Sequence, residues 1–342
     1  MPPHARRTTL ATIAREAGVS VATVSKVVND RSDVAPGTRA RVQVLLREHD
    51  YLAPVFRHSE AAKNPTIEVQ FNNDLKTYSV EALEGIIEAA AELGTSVVIS
   101  KSSPAPHWAR DLVSAGRHAL IAVTSMYTSA HVKQLAKAGL PLVVLDPLHL
   151  PHSQVHSVGA TNFAGGLAAT GHLLRLGHRR VGYLGGPTMA VCNQARMHGY
   201  RAALEAAGAP TPNTYVRHGA FTHRAGLLGA TAFLGLDEPP TAIFAGNDEI
   251  ALGAIEAART CGLRIPEDLS VVGFDDTHLA RMASPPLTTV RQPLREMGGV
   301  ALRTALRLAN GERVESHHIE LATELVVRAS TAPPQEEAST RT

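Results

Sequence analysis

TLATIAREAGVSVATVSKVVN, residues 9 to 29, carries two helical periodicities on either side of one glycine. Leu10, Ile13, Ala14 and Ala17 recur at i, i+3, i+4 and i+7, which puts them on one face of a first helix opened by Thr8 or Thr9. Gly18 stops that helix, because a residue without a Cβ takes the left-handed conformation a helix end needs. Val19 is placed to fill the space between the helices, and Ser20 to cap the next one. In that second helix, Val21 to Val28, the spacing turns Val24 and Val28 inward. Ala22, Thr23, Ser25, Lys26 and Asn29 are left toward solvent.

The outward set is small, hydroxylated or basic. Such a face lets a helix sink into a major groove, where hydroxyls and helix N-terminal amides bond phosphates and a long cation reaches guanine edges. Any small amphipathic hairpin shares the period, so the residues themselves must discriminate. AREAGVSVATVSKVVN resembles the helix-turn-helix signature of the LacI/GalR family of bacterial transcription regulators. The resemblance implies that Val21, Ala22 and Lys26 face bases, and that Ser20, Thr23, Ser25 and Asn29 hold phosphates.

Thr38 to Glu48, TRARVQVLLRE, follows a polar loop. Val42, Leu45 and Leu46 are spaced to close a three-helix head, with Thr38 as cap. In the family Thr38 and Arg39 touch the DNA backbone, and Tyr51 ends the head. Taken singly, Arg39, Arg41 and Arg47 are equally well read as solvating a helix. In the connector, residues 52 to 65, the chain departs from the family. Where an Ala-Arg-x-Leu segment would wedge its leucine into the minor groove, this sequence has Arg57, His58 and Glu60. Phe56 is the substitute apolar wedge that the connector offers.

The whole chain has 342 residues, enough for a head piece plus one large or two medium domains. Hydrophobic residues make up 44% and charged ones 19%, which fits a folded soluble protein and argues against a disordered or fibrous one. No apolar run reaches membrane length, and MPPHARRTTL lacks the apolar core of a secretory signal, so a cytoplasmic protein is expected. Cys192 and Cys261 lie far apart and suggest neither a disulfide framework nor a zinc site; buried free thiols are the expectation. Net charge is only +2, but residues 1 to 63 hold ten Lys/Arg against six Asp/Glu. The attraction for phosphate therefore lies at the N-terminal end.

From Thr66 onward strand and helix patterns alternate. IEVQF, Ser79 to Leu93, SVVIS, a helix near Trp108 to Ala115, LIAV, a helix around Ala130 to Ala138, and LVVL form a first series. A second runs through Asn162 to Leu176, VGYL, Ala195 to Ala207, TYVRH, Ala225 to Leu236, TAIFAG, Glu249 to Thr260, and SVVGF. Such runs predict parallel sheets covered on both faces. Two doubly wound lobes are implied, with a ligand crevice where the strand carboxyl ends face one another. A last helix, Leu294 to Leu308, and short strands near His318 and Leu325 complete them. The expected division is 1–58 as helix-turn-helix domain, 59–65 as linker, 66–330 as two-lobed effector-binding and dimerisation domain, and 331–342 as a disordered tail.

Arg196, Asn247 and Asp275 fall just past strand ends or early in helices, where a guanidinium, an amide and a carboxylate converging on one crevice can grip a polyol. The competing readings are a surface salt bridge for Arg196, a helix cap for Asn247 and a turn or cap for Asp275; Asp276 is read as structural. Asp74, Ser125 and Asp146 are weaker candidates for the facing wall. Phe71, Trp108 and Tyr127 could stack on a sugar, though core packing is the commoner role. LGHRRVGYLGG, RMHGYRAAL, AIFAGNDEIALGAIEAA, IPEDLSVVGFDD and PPLTTVRQP each resemble a LacI/GalR segment, in order, so the resemblance spans almost the whole chain. It implies an α/β fold, a helix-turn-helix head before a core shaped like the periplasmic sugar-binding proteins, dimerised and closing on a small ligand. It also implies effector contacts at Arg196, Asn247 and Asp275.

Other functions fit less well. Gly182, Gly185 and Gly186 lack dinucleotide-fingerprint spacing, and no phosphate-loop or nucleophile-elbow motif occurs, so no cofactor is expected. His149, His152 and His156 sit in a proline-flanked loop and are expected to be solvated, with no metal bound. A solute-binding protein would need export, and a two-lobed sugar-processing enzyme has no use for the head. The expected function is a cytoplasmic, homodimeric transcription regulator, a repressor of carbohydrate-use genes, with operator DNA and a sugar effector as partners.

Overall fold

The computed structural model describes residues 9–28, 33–49, 65–71, 75–101, 107–124, 127–149 and 155–335, without the Arg47 side chain. Asn29, Tyr51, Phe56, Arg57, His58, Glu60, Asp74, Ser125 and His152 lie outside the described residues. The chain forms two units, residues 1–63 and 64–342.

The first unit contains α1 (Leu10–Ala17), α2 (Val21–Val28) and α3 (Pro36–Glu48). Thr9 caps α1 by accepting from the Thr12 amide, and Gly18 ends it at φ 65°. The Val19 amide then donates to the Ala14 carbonyl at 3.0 Å, closing the turn. Ser20 caps α2, its hydroxyl accepting from the Thr23 amide at 3.0 Å. Ile13, Ala14, Ala17, Val24, Val27, Val34 and Val42 make the core, with Leu10, Val19, Val28, Leu45 and Leu46 packed on it. Burying Val24 fully stabilises the unit by about 1.5–3 kcal/mol. Two expectations are corrected. Val27, not Val28, is the second fully inward residue of α2. Thr38 is no cap, because α3 already begins at Pro36, whose fixed φ suits the first helical position.

The second unit holds two six-stranded sheets. The strands are β1 (Thr66–Phe71), β2 (Ser96–Lys101), β3 (Ala119–Val123), β4 (Leu142–Leu145), β5 (His156–Ala160), β6 (Val181–Gly185), β7 (Val216–His218), β8 (Ala242–Ala245), β9 (Ser270–Asp275), β10 (Thr288–Arg291), β11 (His318–Leu321) and β12 (Glu324–Val326). Lobe one has the order β11-β5-β4-β3-β1-β2 and lobe two β12-β10-β9-β8-β6-β7. The pairings are parallel except β10 with β12. The helices are α4 (Thr77–Glu92), α5 (Trp108–Ser114), α6 (Ser129–Ala138), α7 (Asn162–Arg175), α8 (Val191–Ala206), α9 (His223–Leu234), α10 (Asp248–Thr260), α11 (His278–Met282) and α12 (Leu294–Ala309).

Strands such as β3 and β8 are buried at every position, as parallel strands covered on both faces must be. The core of lobe one packs Ile67, Ile121 and Val143 against Ile86 and Met297. Helices α7 and α8 approach closely because glycines stand at their contact: a β-carbon on Gly166 would collide with the backbone of Arg196, and one on Gly199 with that of Phe163. Thus Gly166 sets how closely the Arg196 backbone approaches α7. The chain passes between the lobes three times, after β5, after β10 and after β11. Two passages are tied together: the Thr161 and Thr323 hydroxyls are 3.0 Å apart, and the Thr323 amide donates to the Thr161 hydroxyl at 3.0 Å.

Strands β5 and β10 and helix α11 lie outside the sequence pattern. Part of the expected tail is also structured. The Ala332 carbonyl accepts from His178 Nε2 at 2.9 Å, Thr331 Oγ1 meets His172 Nε2 at 3.0 Å, and Gln335 Nε2 donates to Asp268 at 3.2 Å.

Candidate functional site

Two surfaces carry the chemistry. On the first unit, Ser20, Val21, Ala22 and Lys26 are exposed along α2, whereas Thr23 and Ser25 are half-buried. Val21 keeps 47% of its surface open. Lys26 Nζ contacts Asp33 at 2.6 Å with both side chains about half exposed. An exposed pair is worth only about 0.2–1 kcal/mol, so a phosphate or base edge can take the lysine from its aspartate. Thr38 and Arg39 occupy the first turns of α3 and are half-buried.

On the second unit, a cavity of about 510 Å³ lies between the lobes, at the carboxyl ends of the strands. Lobe one contributes Lys76, Tyr78, Ser79, Thr124 and Asp146; lobe two contributes Pro187, Cys192, Arg196, Asn247 and Asp275. Phe221 and Glu249 add the remaining lobe-two wall. Four sequence candidates, Asp146, Arg196, Asn247 and Asp275, therefore converge on one cavity. Asp74 and Ser125 are not placed.

Each is held by its element. Asp146 follows β4 at φ 48° and Asp275 closes β9 at φ 110°, conformations that cost a non-glycine residue on the order of 1–3 kcal/mol. Asp275 keeps its geometry because Gln292 grips it twice, its amide donating to the Asp275 carbonyl at 3.2 Å and its side chain to Oδ1 at 2.7 Å. Asn247 is the cap of α10, its Oδ1 accepting from the Ile250 amide at 2.9 Å. The cap reading and the cavity placement both apply to it.

Arg196 is not on a helix surface. It is 2% exposed, its Nε donating to Asn162 at 2.8 Å and Nη1 to the Gly246 carbonyl at 2.6 Å. Its guanidinium lies 3.8 Å from the centre of the Phe274 ring, a stacked cation–π geometry.

Burial pushes the Asp146 carboxyl above the usual range, with Arg196 and the Tyr78 hydroxyl pulling it back. Burial raises Asp275 well above its ordinary value too, opposed by Arg196 and reinforced by Asp248. Beneath the floor, Asp248 accepts from the Thr277 amide at 2.8 Å, the Thr277 hydroxyl at 3.0 Å and the Thr289 hydroxyl at 2.6 Å. Its carboxyl is nonetheless pushed up to about 7, because complete burial outweighs three donors. Asp276 takes the structural role, gripped by Arg291 at 2.8 Å and Arg328 at 2.6 Å.

The aromatic candidates pack elsewhere. Phe71 is buried in the lobe-one core, and Trp108 stacks on Tyr127 with centroids 5.5 Å apart. Phe221 and Tyr78 are the aromatic residues at the cavity, and neither was a sequence candidate. Cys192 lines the cavity with its thiol pushed up to about 12 by burial, while Cys261 is exposed, against expectation. His149 turns to the Leu148 carbonyl at 2.8 Å and His156 packs on His317.

Residues 9–53 match the family of lacI bacterial regulatory proteins, and residues 170–331 match a periplasmic binding protein-like domain. Catabolite control protein A of Priestia megaterium is 32% identical over 329 residues, spanning 94% of this chain and 99% of that protein. The solved complex of the transcriptional regulator CelR with cellobiose has 32% identity and a TM-score of 0.72, covering 95% of this chain and all of the other. A lac repressor dimer bound to operator and the anti-inducer ONPF has 28% identity and a TM-score of 0.70, with 96% and 100% covered. With the head and the two-lobed core matched in one order over nearly the whole length, the chain belongs to the LacI family of bacterial regulatory proteins and is a DNA-binding transcriptional regulator.

Proposed function

We propose that this regulator is a cytoplasmic homodimeric repressor whose operator affinity is set by a sugar in the cleft. Residues 1–58 read the operator, 59–65 link, and 66–330 bind effector and pair the subunits. The observation that carries the reading is the convergence of Asp146, Arg196, Asn247 and Asp275 on one cavity of about 510 Å³, within the roughly 300–1,000 Å³ range of small-molecule sites. Carboxylates, an amide and a guanidinium match the adjacent donors and acceptors of a polyol, and Phe221 offers a sugar face an apolar wall.

On the head, Val21, Ala22 and Lys26 face bases, and Ser20, Thr23, Ser25, Asn29, Thr38 and Arg39 hold the backbone. Each subunit takes one half-site, so the operator is a rough palindrome. A ligand that joins the lobes changes what the linker presents to DNA, and the coupling is reciprocal: whatever the sugar does to operator affinity, operator does to sugar affinity. The test is a thermal-shift screen of the full chain against common sugars, followed by operator titrations with and without each hit. A ligand at 100 times its Kd adds about 2.7 kcal/mol of stability. A hit that leaves operator affinity unchanged contradicts the proposal.

A further inference from the structure

The charged groups lining the cleft balance in number: Lys76, Lys101 and Arg196 stand against Asp146, Glu249 and Asp275. They differ in how far they are already used. Lys76, the residue before α4 in lobe one, reaches across to lobe two, where Nζ donates to Glu249 Oε2 at 3.1 Å and to the Phe221 carbonyl at 3.2 Å. Arg196 has two of its three nitrogens donating to Asn162 and Gly246. Lys101 also has a partner.

The acceptors are less committed. Among the described residues only the Arg196 charge and the Tyr78 hydroxyl offset the burial of Asp146. At Asp275 the Gln292 amide donates to Oδ1 alone. Beside Asp146 the buried Tyr78 hydroxyl makes no hydrogen bond of normal distance and angle among the described residues. Ligand hydroxyls would satisfy these carboxylates. A phosphate carrying about −1.5 to −2 charge would instead add to their repulsion, with the nearby cations already engaged.

We propose, resting on the reading of the cleft as the effector site, that it selects an uncharged polyhydroxylated ligand donating to Asp146 and Asp275. Glu249, a third carboxylate in the lining beside Asp146 and Asp275, adds its charge against the phosphorylated form of the same sugar and draws on Lys76. Glu249 thereby acts as a specificity residue, competing with a phosphate for Lys76.

The experiment measures binding of matched pairs to the full chain by calorimetry and thermal shift: glucose with glucose 6-phosphate, ribose with ribose 5-phosphate, trehalose with trehalose 6-phosphate. In the wild-type protein a neutral member should bind at least about tenfold more tightly than its phosphate, the effect of one unfavourable buried charge contact. Glu249→Gln frees Lys76 and should narrow that gap about tenfold, and adding Lys76→Met should reopen it. A phosphate that binds as tightly as its parent sugar overturns the selectivity and leaves the cleft as an effector site. If no pair binds, the sugar-site reading falls with it. Should Glu249→Gln fail to fold, the wild-type pairs still decide.

Discussion

The Arg196 guanidinium stands 3.7 Å from the Asp275 carboxylate, with both side chains almost wholly buried. The spacing is too long for a hydrogen bond and short enough for each charge to hold the other in place. Asp275→Asn keeps the shape and leaves an oxygen for Gln292, but removes the charge a ligand hydroxyl would donate to. Effector affinity should fall by about 1.5–3 kcal/mol, measured by calorimetry with a ligand identified in the screen. An unchanged Kd would remove Asp275 from the site.

Gly166→Ala should act on the same arginine from behind. Its new methyl group meets the Arg196 backbone, so α7 and α8 must part or strain. The core should lose about 1–3 kcal/mol, read from the urea midpoint, and effector affinity should drop with it. Gly37 in α3 is the contrast, since nothing lies within 4 Å of an added β-carbon. Gly37→Ala should stabilise the head by about 0.4–1 kcal/mol.

Lys26→Ala should cost about 1–3 kcal/mol of discrimination between operator and mismatched DNA. Asp33→Asn should act in the opposite direction, because it takes a carboxylate from beside Lys26. Gel-shift titrations at several salt concentrations separate the two. Lys26→Ala flattens the sequence preference, and Asp33→Asn strengthens binding most at low salt. Equal losses from both variants would contradict this placement of Lys26.

Stability should depend on pH through two opposed sets of groups. Asp248 titrates at about 7 in the fold against an ordinary 3.8, so the stability it confers is complete below about pH 3.8 and is lost as pH rises toward 7. Asp146 and Asp275 have the same sign. His172 and His178, lowered chiefly by burial, confer stability that is present above their ordinary 6.5 and lost as pH falls through their lowered values. Urea unfolding from pH 4 to 8 should therefore show Asp248→Asn flattening the loss on the alkaline side and His178→Gln flattening the loss on the acid side. The same slope in variant and parent would reject that group's assignment.

Much of the α/β alternation was legible because β3, β4 and β8 are covered on both faces and read as continuous apolar runs. β5 and β10 were not, since HSVGA and TTVR look polar. Their polar groups are satisfied from far along the chain: Ser157 meets His318 at 2.9 Å, the Thr288 amide donates to the Ser330 hydroxyl at 2.8 Å, and the Thr289 hydroxyl donates to Asp248. No local pattern reveals such partners. The α2 error is of another kind. In an eight-residue helix Val27 and Val28 both border the apolar face, and packing alone decides between them.

The candidate site divides the same way. Asp146, Asn247 and Asp275 could be found because a polar residue after a buried strand in a doubly wound sheet faces the crevice, and Arg196 because it stands early in the helix that follows β6. Lys76, Tyr78, Phe221 and Glu249 sit in loops and first turns, and they become walls only when the two lobes are placed opposite each other.

The bonded threonines Thr161 and Thr323 restrict how the core can respond to a ligand. Of the three strands of backbone joining the lobes, two are laced together through main chain and hydroxyl alike, so independent sliding of either would break several bonds at once. Rotation of one lobe against the other about the laced segment need not stretch them. The two lobes are then joined by one laced pair of passages and one lone passage, so substitutions at the laced pair can tune how the lobes move without touching the cavity.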